Sequence, residues 1–427
     1  MKESSSDPLI DVSRLKVGMF IHLDLSWMSH PFPLSSFKLS SEDQLLTLRR
    51  LGLRQVRWSP GKSELQLKVT PLPVTQAQAV LPGEGSSAEA LERDVHRRAL
   101  AAQNDALQLC ERQYGEAATA FRGVMELVPK APENAKDQSV ALAQALIDKM
   151  LVAGDLNIRL LNEGASERHT AHALNVSIIS LLLGRAFGLD REEMLDLGLG
   201  ALLHDVGKIE VAARLRHRDE GFSSAETQAY QQHVAKGVAL AQQMGLAPAP
   251  MLIIAQHHEN ADGTGFPQRI NADRMSSGSR IVSLVNRFDG LCNPLLASKA
   301  MTPHEALSLM FAQGRSRFDQ TMLNAFIRMM GVYPPGSAVQ LTDERFALVV
   351  AVNSSRPLKP RVMVHDPKVA REEALILSLE EHPDLGIRRS LKPQQLPRAV
   401  LDYLSPRARV AYFFEPAGTP TAVEMAA

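Results

Sequence analysis

Two adjacent pairs of polar residues, His204-Asp205 and His257-His258, constrain this chain more than any other feature. The first ends a largely apolar run, Leu195 to Leu203, and is followed at once by Gly207 and Lys208. The second leads into Glu259 and then Asp262-Gly263-Thr264-Gly265-Phe266-Pro267. Seven of the thirteen histidines lie between His169 and His258, so the chemistry is concentrated in one stretch. Imidazole nitrogens with a carboxylate that can bridge are what a compact site for more than one metal ion requires.

Helical patterning surrounds these residues. The periodicity predicts helices over Thr170–Phe187, Arg191–Leu203, Ser224–Met244 (capped by Ser224), Pro250–His258, Ser276–Leu291, Pro303–Phe311 and Arg315–Met330, with almost no strand between 152 and 330. His172 falls in the first turn of one helix, His204-Asp205 at the end of the next, His233 inside a third and His257-His258 at the end of a fourth. Spacing of roughly one helix plus one loop lets each helix of a bundle bring one contribution to a common centre. A carboxylate bridging two cations, with a hydroxide between them, would make a nucleophile at neutral pH, and Lys208 would stabilise charge developing on a phosphate. Taken singly, each signal is weak. A lone His172 or His233 is more often a hydrogen-bonded core or surface residue, and adjacent histidines on a helix point about 100° apart. Gly263-Thr264-Gly265 alone is a turn. His169, His217 and His304 read as surface residues.

The flanks differ in character. Residues 9–58 read as a small α+β module. In it a strand spans Met19–Leu25, a helix capped at Ser41 points Leu45, Leu46 and Leu48 inward and stops at Gly52, and a second strand spans Gln55–Trp58. Residues 59–136 read as a linker rich in proline and glycine (with a strand at Leu65–Val69) and then a helical connector over Ala88–Val128, which Pro129 and Pro132 interrupt before a helix over Asp137–Val152. Residues 137–331 form the helical domain. Residues 332–416 read as a β-rich appendage with strands at Ala338–Leu341, Phe346–Val352, Val362–Val364 and Leu375–Leu379. The expected class is thus multidomain, a central all-α bundle between an α+β module and a β-rich tail.

Composition narrows the function. Lys+Arg and Asp+Glu are 47 each, which argues against a chain that coats DNA or RNA. The polar N-terminus lacks a signal-peptide core, and no apolar run reaches bilayer length, so a cytoplasmic location is expected. Cys110 and Cys292 lie in no metal-type spacing and read as reduced thiols.

Taken in order, the motifs resemble those of the HD-GYP family, a branch of the HD metal-dependent phosphohydrolases, over about residues 155 to 330. His204-Asp205-Val206-Gly207-Lys208 is similar to its His-Asp-x-Gly-Lys, His233-Val234-Ala235-Lys236-Gly237 to its His-x-x-x-Gly, and His257 to Pro267 to its His-His-Glu-x-x-Asp-Gly-x-Gly-Tyr-Pro, with Phe266 in place of Tyr. Ala171 to Val176 is similar to the earlier helix that supplies a ligand. Leu15 to Met19 and Arg54-Gln55-Val56 resemble a small domain of unknown function that often precedes such domains. The resemblance implies an all-α domain that hydrolyses the bacterial second messenger cyclic di-GMP to pGpG and then GMP at a site of two or three iron or manganese ions. It also implies His172, His204, Asp205, His233, His257 and His258 as metal ligands, and Lys208, Gly265 and Asp289 beside the substrate. A homodimer and signalling partners are open to such a chain.

Three departures stand out. The family's ligand Asp on a later helix falls on Asn286, a weaker, neutral donor, while Asp289 matches the second Asp of that motif. The phosphate-gripping Arg of the next segment has no counterpart in Cys292 to Ala297, Leu295 included. Arg168 stands where members with a third metal place a Glu, which predicts two metals rather than three. Three readings follow: an active cyclic di-GMP phosphodiesterase, a weak or inactive sensor of the same fold, and a phosphohydrolase acting on another nucleotide.

Overall fold

The computed structural model describes residues 7–25, 30, 32, 36–39, 41–63, 88–152, 154–161, 167–217, 221–314, 316–407 and 409–417. They divide into two compact units, Met1–His96 and Arg97–Ala427.

In the first unit, short strands β1 (Leu9–Asp11), β2 (Phe20–His22) and β3 (Ser36–Lys38), helix α1 (Glu42–Arg50) and strand β4 (Gln55–Ser59) enclose a small core. The four strands form an antiparallel sheet in the order β1-β4-β2-β3. Ile21, Phe32, Leu39 and Leu48 are the heart of its buried cluster. Ser41 caps α1 by accepting from the Gln44 N–H, and Gly52 follows it at φ +70°, a conformation that costs glycine nothing. The expectation for Leu46 is corrected: it is 47% exposed, and only Leu45 and Leu48 turn inward. The expected strand at Leu65–Val69 lies outside the described residues.

The second unit takes in most of the long helix α2 (Ala88–Leu127) and continues with α3 (Pro132–Val152), strand β5 (Leu156–Leu160), α4 (Arg168–Ala186), α5 (Arg191–Leu203), α6 (Ser224–Gln243), α7 (Pro248–Gln256), α8 (Ser277–Cys292), α9 (Pro303–Gln313) and α10 (Gln320–Met330). Helix α4 is largely apolar and is buried on every face from Ala173 to Gly184, where Asn175 spends its amide on hydrogen bonds. It packs against α3, α5, α8 and α10 and so forms the axis of the bundle. Several predicted starts move: α3 begins at Pro132 and not Asp137, and α4 and α7 each begin two residues before Thr170 and Pro250. Helix α6 is capped by Ser223 in a reciprocal box with Glu226, not by Ser224, and α10 begins after its cap Asp319, not at Arg315. Cys110 and Cys292 are both buried as free thiols.

The β-rich tail contains β6 (Ala338–Leu341), β7 (Phe346–Asn353), β8 (Arg361–Val364), β9 (Ile376–Ser378), β10 (Ile387–Leu391), helix α11 (Arg398–Leu404) and β11 (Tyr412–Pro416). Of these, β10, α11 and β11 went unpredicted. The expected β-rich C-terminal region is present, and its sheet and the helices lie in one compact unit. Strand β5, unexpected inside the helical stretch, sits between β7 and β11 in a seven-stranded antiparallel sheet. Every residue of β5 is buried, which hides the alternation that would have announced it. Its Arg159 is made tolerable there by Glu415 of β11, whose two carboxylate oxygens each accept at 3.0 Å. The end of β11 therefore returns to the helices, and β11 packs on α4.

Candidate metal centre

Both doublets lie where a helix stops. Helix α5 ends at Leu203, His204 is its cap, and Asp205 has left the helix at φ −102°, ψ 9°. Helix α7 ends at Gln256 with His257 as its cap. Within a continuous helix adjacent side chains diverge by about 100°. Here the chain turns between them, so His257 and His258 lie 4.1 Å apart, ring centre to ring centre.

The tautomers follow from the helix backbone. Nδ1 of His204 donates to the carbonyl of Ala201 at 2.7 Å, that of His233 to Tyr230 at 2.6 Å, and that of His257 to Ile254 at 2.7 Å, each to the residue three positions earlier. His172 Nδ1 instead donates to Oδ2 of Asp289 at 2.5 Å. All four rings thereby turn an Nε2 lone pair toward the Asp205 carboxylate. Oδ2 of Asp205 lies 3.6 Å from His172 Nε2 and 3.4 Å from His204 Nε2. Its Oδ1 lies 3.5 Å from His233 Nε2 and 3.7 Å from His257 Nε2. One carboxylate thus faces two imidazole sets, one on each oxygen. The donors fall into two clusters, His172–His204–Asp205 and Asp205–His233–His257–His258, each with ligand atoms within 4.8 Å of one another. Buried Asp205 Oδ1 has no hydrogen-bond partner. Converging lone pairs around an unsatisfied buried carboxylate oxygen are what a cation would satisfy, so the residues fit a pair of metal ions.

The charge states agree. Burial holds the His204 imidazole down at about 4 and the His233 imidazole at about 3, with Asp205 opposing. His258 is likewise pushed well below its usual value by burial and then by His257 and His233. These three imidazoles are neutral at neutral pH. Burial pushes the Asp205 carboxyl up, but Lys208 and then His204 outweigh it and hold the group well below the usual carboxylate range. Lys208, whose Nζ donates to Asp205 Oδ2 at 2.5 Å and lies over the Tyr230 ring, is raised for the reciprocal reason despite its burial.

Glycines of two motifs are packing requirements. A Cβ on Gly207 would stand 2.0 Å from the His233 carbonyl oxygen and 2.4 Å from the Gly237 nitrogen, so the turn after the doublet lies directly against α6. A Cβ on Gly265 would meet the backbone of His258, Glu259 and Asn260 at 2.4–2.5 Å. Glu259 folds this turn by accepting from the N–H groups of Gln268, Arg269 and Ile270, and Asp262 accepts from Thr264.

The cluster opens into a cavity of about 1160 Å³. Its lining carries six cationic side chains (Arg168, Lys208, Arg287, Lys299, Arg317 and Arg409) and two carboxylates, Asp205 and Glu259, both engaged as described. Gly265 and Asn286 lie on the cavity wall. The substrate-contact expectation for Asp289 is corrected: it is wholly buried, off the cavity lining, and its oxygens are taken by His172, Asn175 and Asn293. His169 and His217 are also not plain surface residues. Both line the cavity, and burial lowers each to about 4. His304 stacks on Tyr333, away from the site. Tyr230, Asn175, Asn293 and Arg409 were missed. Asn175 sits within the Ala171–Val176 motif, but nothing in the sequence ties Arg409 to residues over a hundred positions earlier.

A helical bundle with this donor set is similar to an HD domain. The family model for the HD domain matches residues 156–322, and that for a domain of unknown function, DUF3391, matches residues 9–138. The chain therefore combines a region similar to the HD domain with an N-terminal region similar to DUF3391. It is 26% identical over 364 residues to a cyclic di-GMP phosphodiesterase of Pseudomonas aeruginosa, covering 83% of this chain and 84% of that protein. It is 22% identical to the cyclic di-GMP phosphodiesterase PdeB of Borreliella burgdorferi, covering 53% of this chain and 61% of that one, and 27% identical to a 3'3'-cGAMP-specific phosphodiesterase of Vibrio cholerae, covering 40% and 37%. Among solved structures, an HDGYP protein from Bdellovibrio bacteriovorus aligns with a TM-score of 0.41 at 17% identity, over 75% of this chain and 98% of that one. Among the described residues no helix is long and apolar enough to cross a membrane.

Proposed function

We propose that this chain is a metal-dependent phosphodiesterase that hydrolyses cyclic di-GMP to pGpG and/or GMP. The observation that carries the reading is the two-sided Asp205 carboxylate, with His172 and His204 at one oxygen and His233 and His257 at the other. His172, His204 and Asp205 would hold one cation, and Asp205, His233, His257 and His258 the other. Two divalent ions, iron or manganese, would supply a water ionised at neutral pH and neutralise charge on the phosphoryl oxygens. Lys208 keeps its proton beside Asp205 and presents an ammonium at the cavity wall, where charge builds on a phosphate under attack. On the same wall Phe266 stacks on His258 and meets Tyr230 edge-on, an aromatic edge suited to a base. The predominance of cationic groups in the cavity supports an anionic substrate.

The test is metal content of anaerobically purified full chain together with hydrolysis of cyclic di-GMP by the same sample. Two metals per chain with pGpG or GMP appearing supports the reading. Saturation with manganese or ferrous iron and no product from any cyclic dinucleotide would sink it. Asn286, a neutral side chain on the cavity wall where the family has a carboxylate, favours the second reading, a weak or inactive sensor. Turnover of a different nucleotide in the same assay would identify the third.

A further inference from the structure

The segment after α8 lacks the arginine with which the family grips phosphate, yet the structure brings two other guanidinium groups to it. Arg168 opens α4, one turn before His172, and its Nη2 donates to the carbonyl of Asn293 at 3.4 Å. Arg409 precedes β11, is exposed, and its Nη2 donates to the carbonyl of Leu295 at 3.4 Å. Both line the cavity that holds the His–Asp cluster.

Arg409 is not placed by chance. The next residue, Val410, is clamped by two amide side chains: its N–H donates to Asn293 Oδ1 at 2.9 Å, and its carbonyl accepts from Asn293 Nδ2 and Asn175 Nδ2 at 2.9 and 3.0 Å. The same two asparagines hold Asp289 behind His172. The C-terminal segment is therefore built into the wall of the site. Arg168 Nη1 is buried with no hydrogen-bond partner. Burial and then the charge of Arg409 push its guanidinium below its usual value. The neighbouring carboxylate, Asp289, has its oxygens already engaged. Two cations held together at a cavity wall, with an unfilled donor between buried surroundings, call for an anion, and guanidinium geometry matches phosphate oxygens.

We propose that Arg168 and Arg409 together grip a second phosphate of the substrate, the one not seated at the His–Asp cluster. This rests on the dinucleotide reading above and deepens it. It gives the C-terminal segment a part in substrate recognition, and it makes the arginine at 168 a phosphate contact instead of a gap in a third metal site.

The experiment compares the full-length chain with Arg168→Ala, Arg409→Ala and Arg409→Lys variants. Binding of fluorescently labelled cyclic di-GMP is read by anisotropy with manganese present, at 4 °C and before turnover. Hydrolysis of bis(p-nitrophenyl) phosphate, which has one phosphate only, is measured alongside, with melting temperature as the folding control. Each alanine variant should bind cyclic di-GMP about tenfold or more weakly, and Arg409→Lys should recover part of the loss. Hydrolysis of the one-phosphate compound should stay within about twofold of wild type, because the clamp does not reach its single phosphate. Unchanged dinucleotide binding overturns the proposal. So does a parallel loss on the one-phosphate compound, or a wild-type chain that binds no dinucleotide. If the wild type binds, the alanine variants lose binding and no chain turns over cyclic di-GMP, the clamp stands and the phosphodiesterase reading fails.

Discussion

Asp289 holds His172 from behind: its Oδ2 accepts from Nδ1 of the imidazole at 2.5 Å, and the ring's Nε2 then faces His204 at 3.1 Å and the Asp205 carboxylate. A carboxylate on α8 thus fixes the tautomer of a ligand on α4. Asn175 and Asn293 in turn donate to Oδ1 of Asp289 at 2.7 and 2.8 Å.

Replacing Asp289 with Asn removes the acceptor that orients His172. Outer supports of this kind typically change metal affinity by about 10- to 100-fold. Metal titration of the Asp289→Asn variant should show one site weakened by that order and the other intact. Two sites of wild-type affinity would show that Asp289 does not support His172.

Asn286 is the converse case. Asn286→Asp adds a negative charge on the wall of the cavity into which the His–Asp cluster opens. Metal should bind more tightly, and hydrolysis should rise if charge shortage limits it. Occupancy and rate both equal to wild type would remove Asn286 as the explanation for a weak site.

Gly207→Ala should destabilise the second unit without touching a ligand. The added methyl would meet backbone atoms of His233 and Gly237, which cannot rotate away. Overpacking of this kind costs roughly 1–3 kcal/mol, and the collision with backbone places the change at or above the top of that range. A urea midpoint equal to wild type would mean that the turn and α6 separate freely.

His169 stacks on Phe121 and is lowered to about 4, mainly by burial. Its unfolded form binds a proton near 6.5, so the unfolded chain gains protons first as pH falls. The contribution is complete above about pH 6.5 and is lost progressively down to about pH 4, on the order of 2–3 kcal/mol in all. Denaturant midpoints at pH 7.5, 6 and 5 should fall more steeply for wild type than for His169→Gln. Parallel slopes would exclude His169 as a source of acid sensitivity.

The local features were legible because they are local. A helix cap at Ser41, a stop at Gly52 and the helix over Arg191–Leu203 depend on residues within a turn or two of one another. β5 was not legible: its side chains are buried on both faces and its charge is matched by Glu415, 256 residues away. Ser223 was overlooked although Glu226, three residues on, completes the capping-box spacing for Ser223 and not for Ser224.

The sequence by itself determined the donor set and its order, because each donor is set by a residue type at a helix start, middle or end. Helix register also sets three of the tautomers, through a carbonyl three residues back. Tertiary packing alone decided which carboxylate oxygen faces which imidazoles, that Asp289 accepts from His172 and is buried off the cavity lining, and that Arg168 and Arg409 line one cavity. Those relationships join residues separated by up to hundreds of positions. They exist only once α4, α8 and β11 are pressed together by apolar surfaces that carry no chemistry of their own.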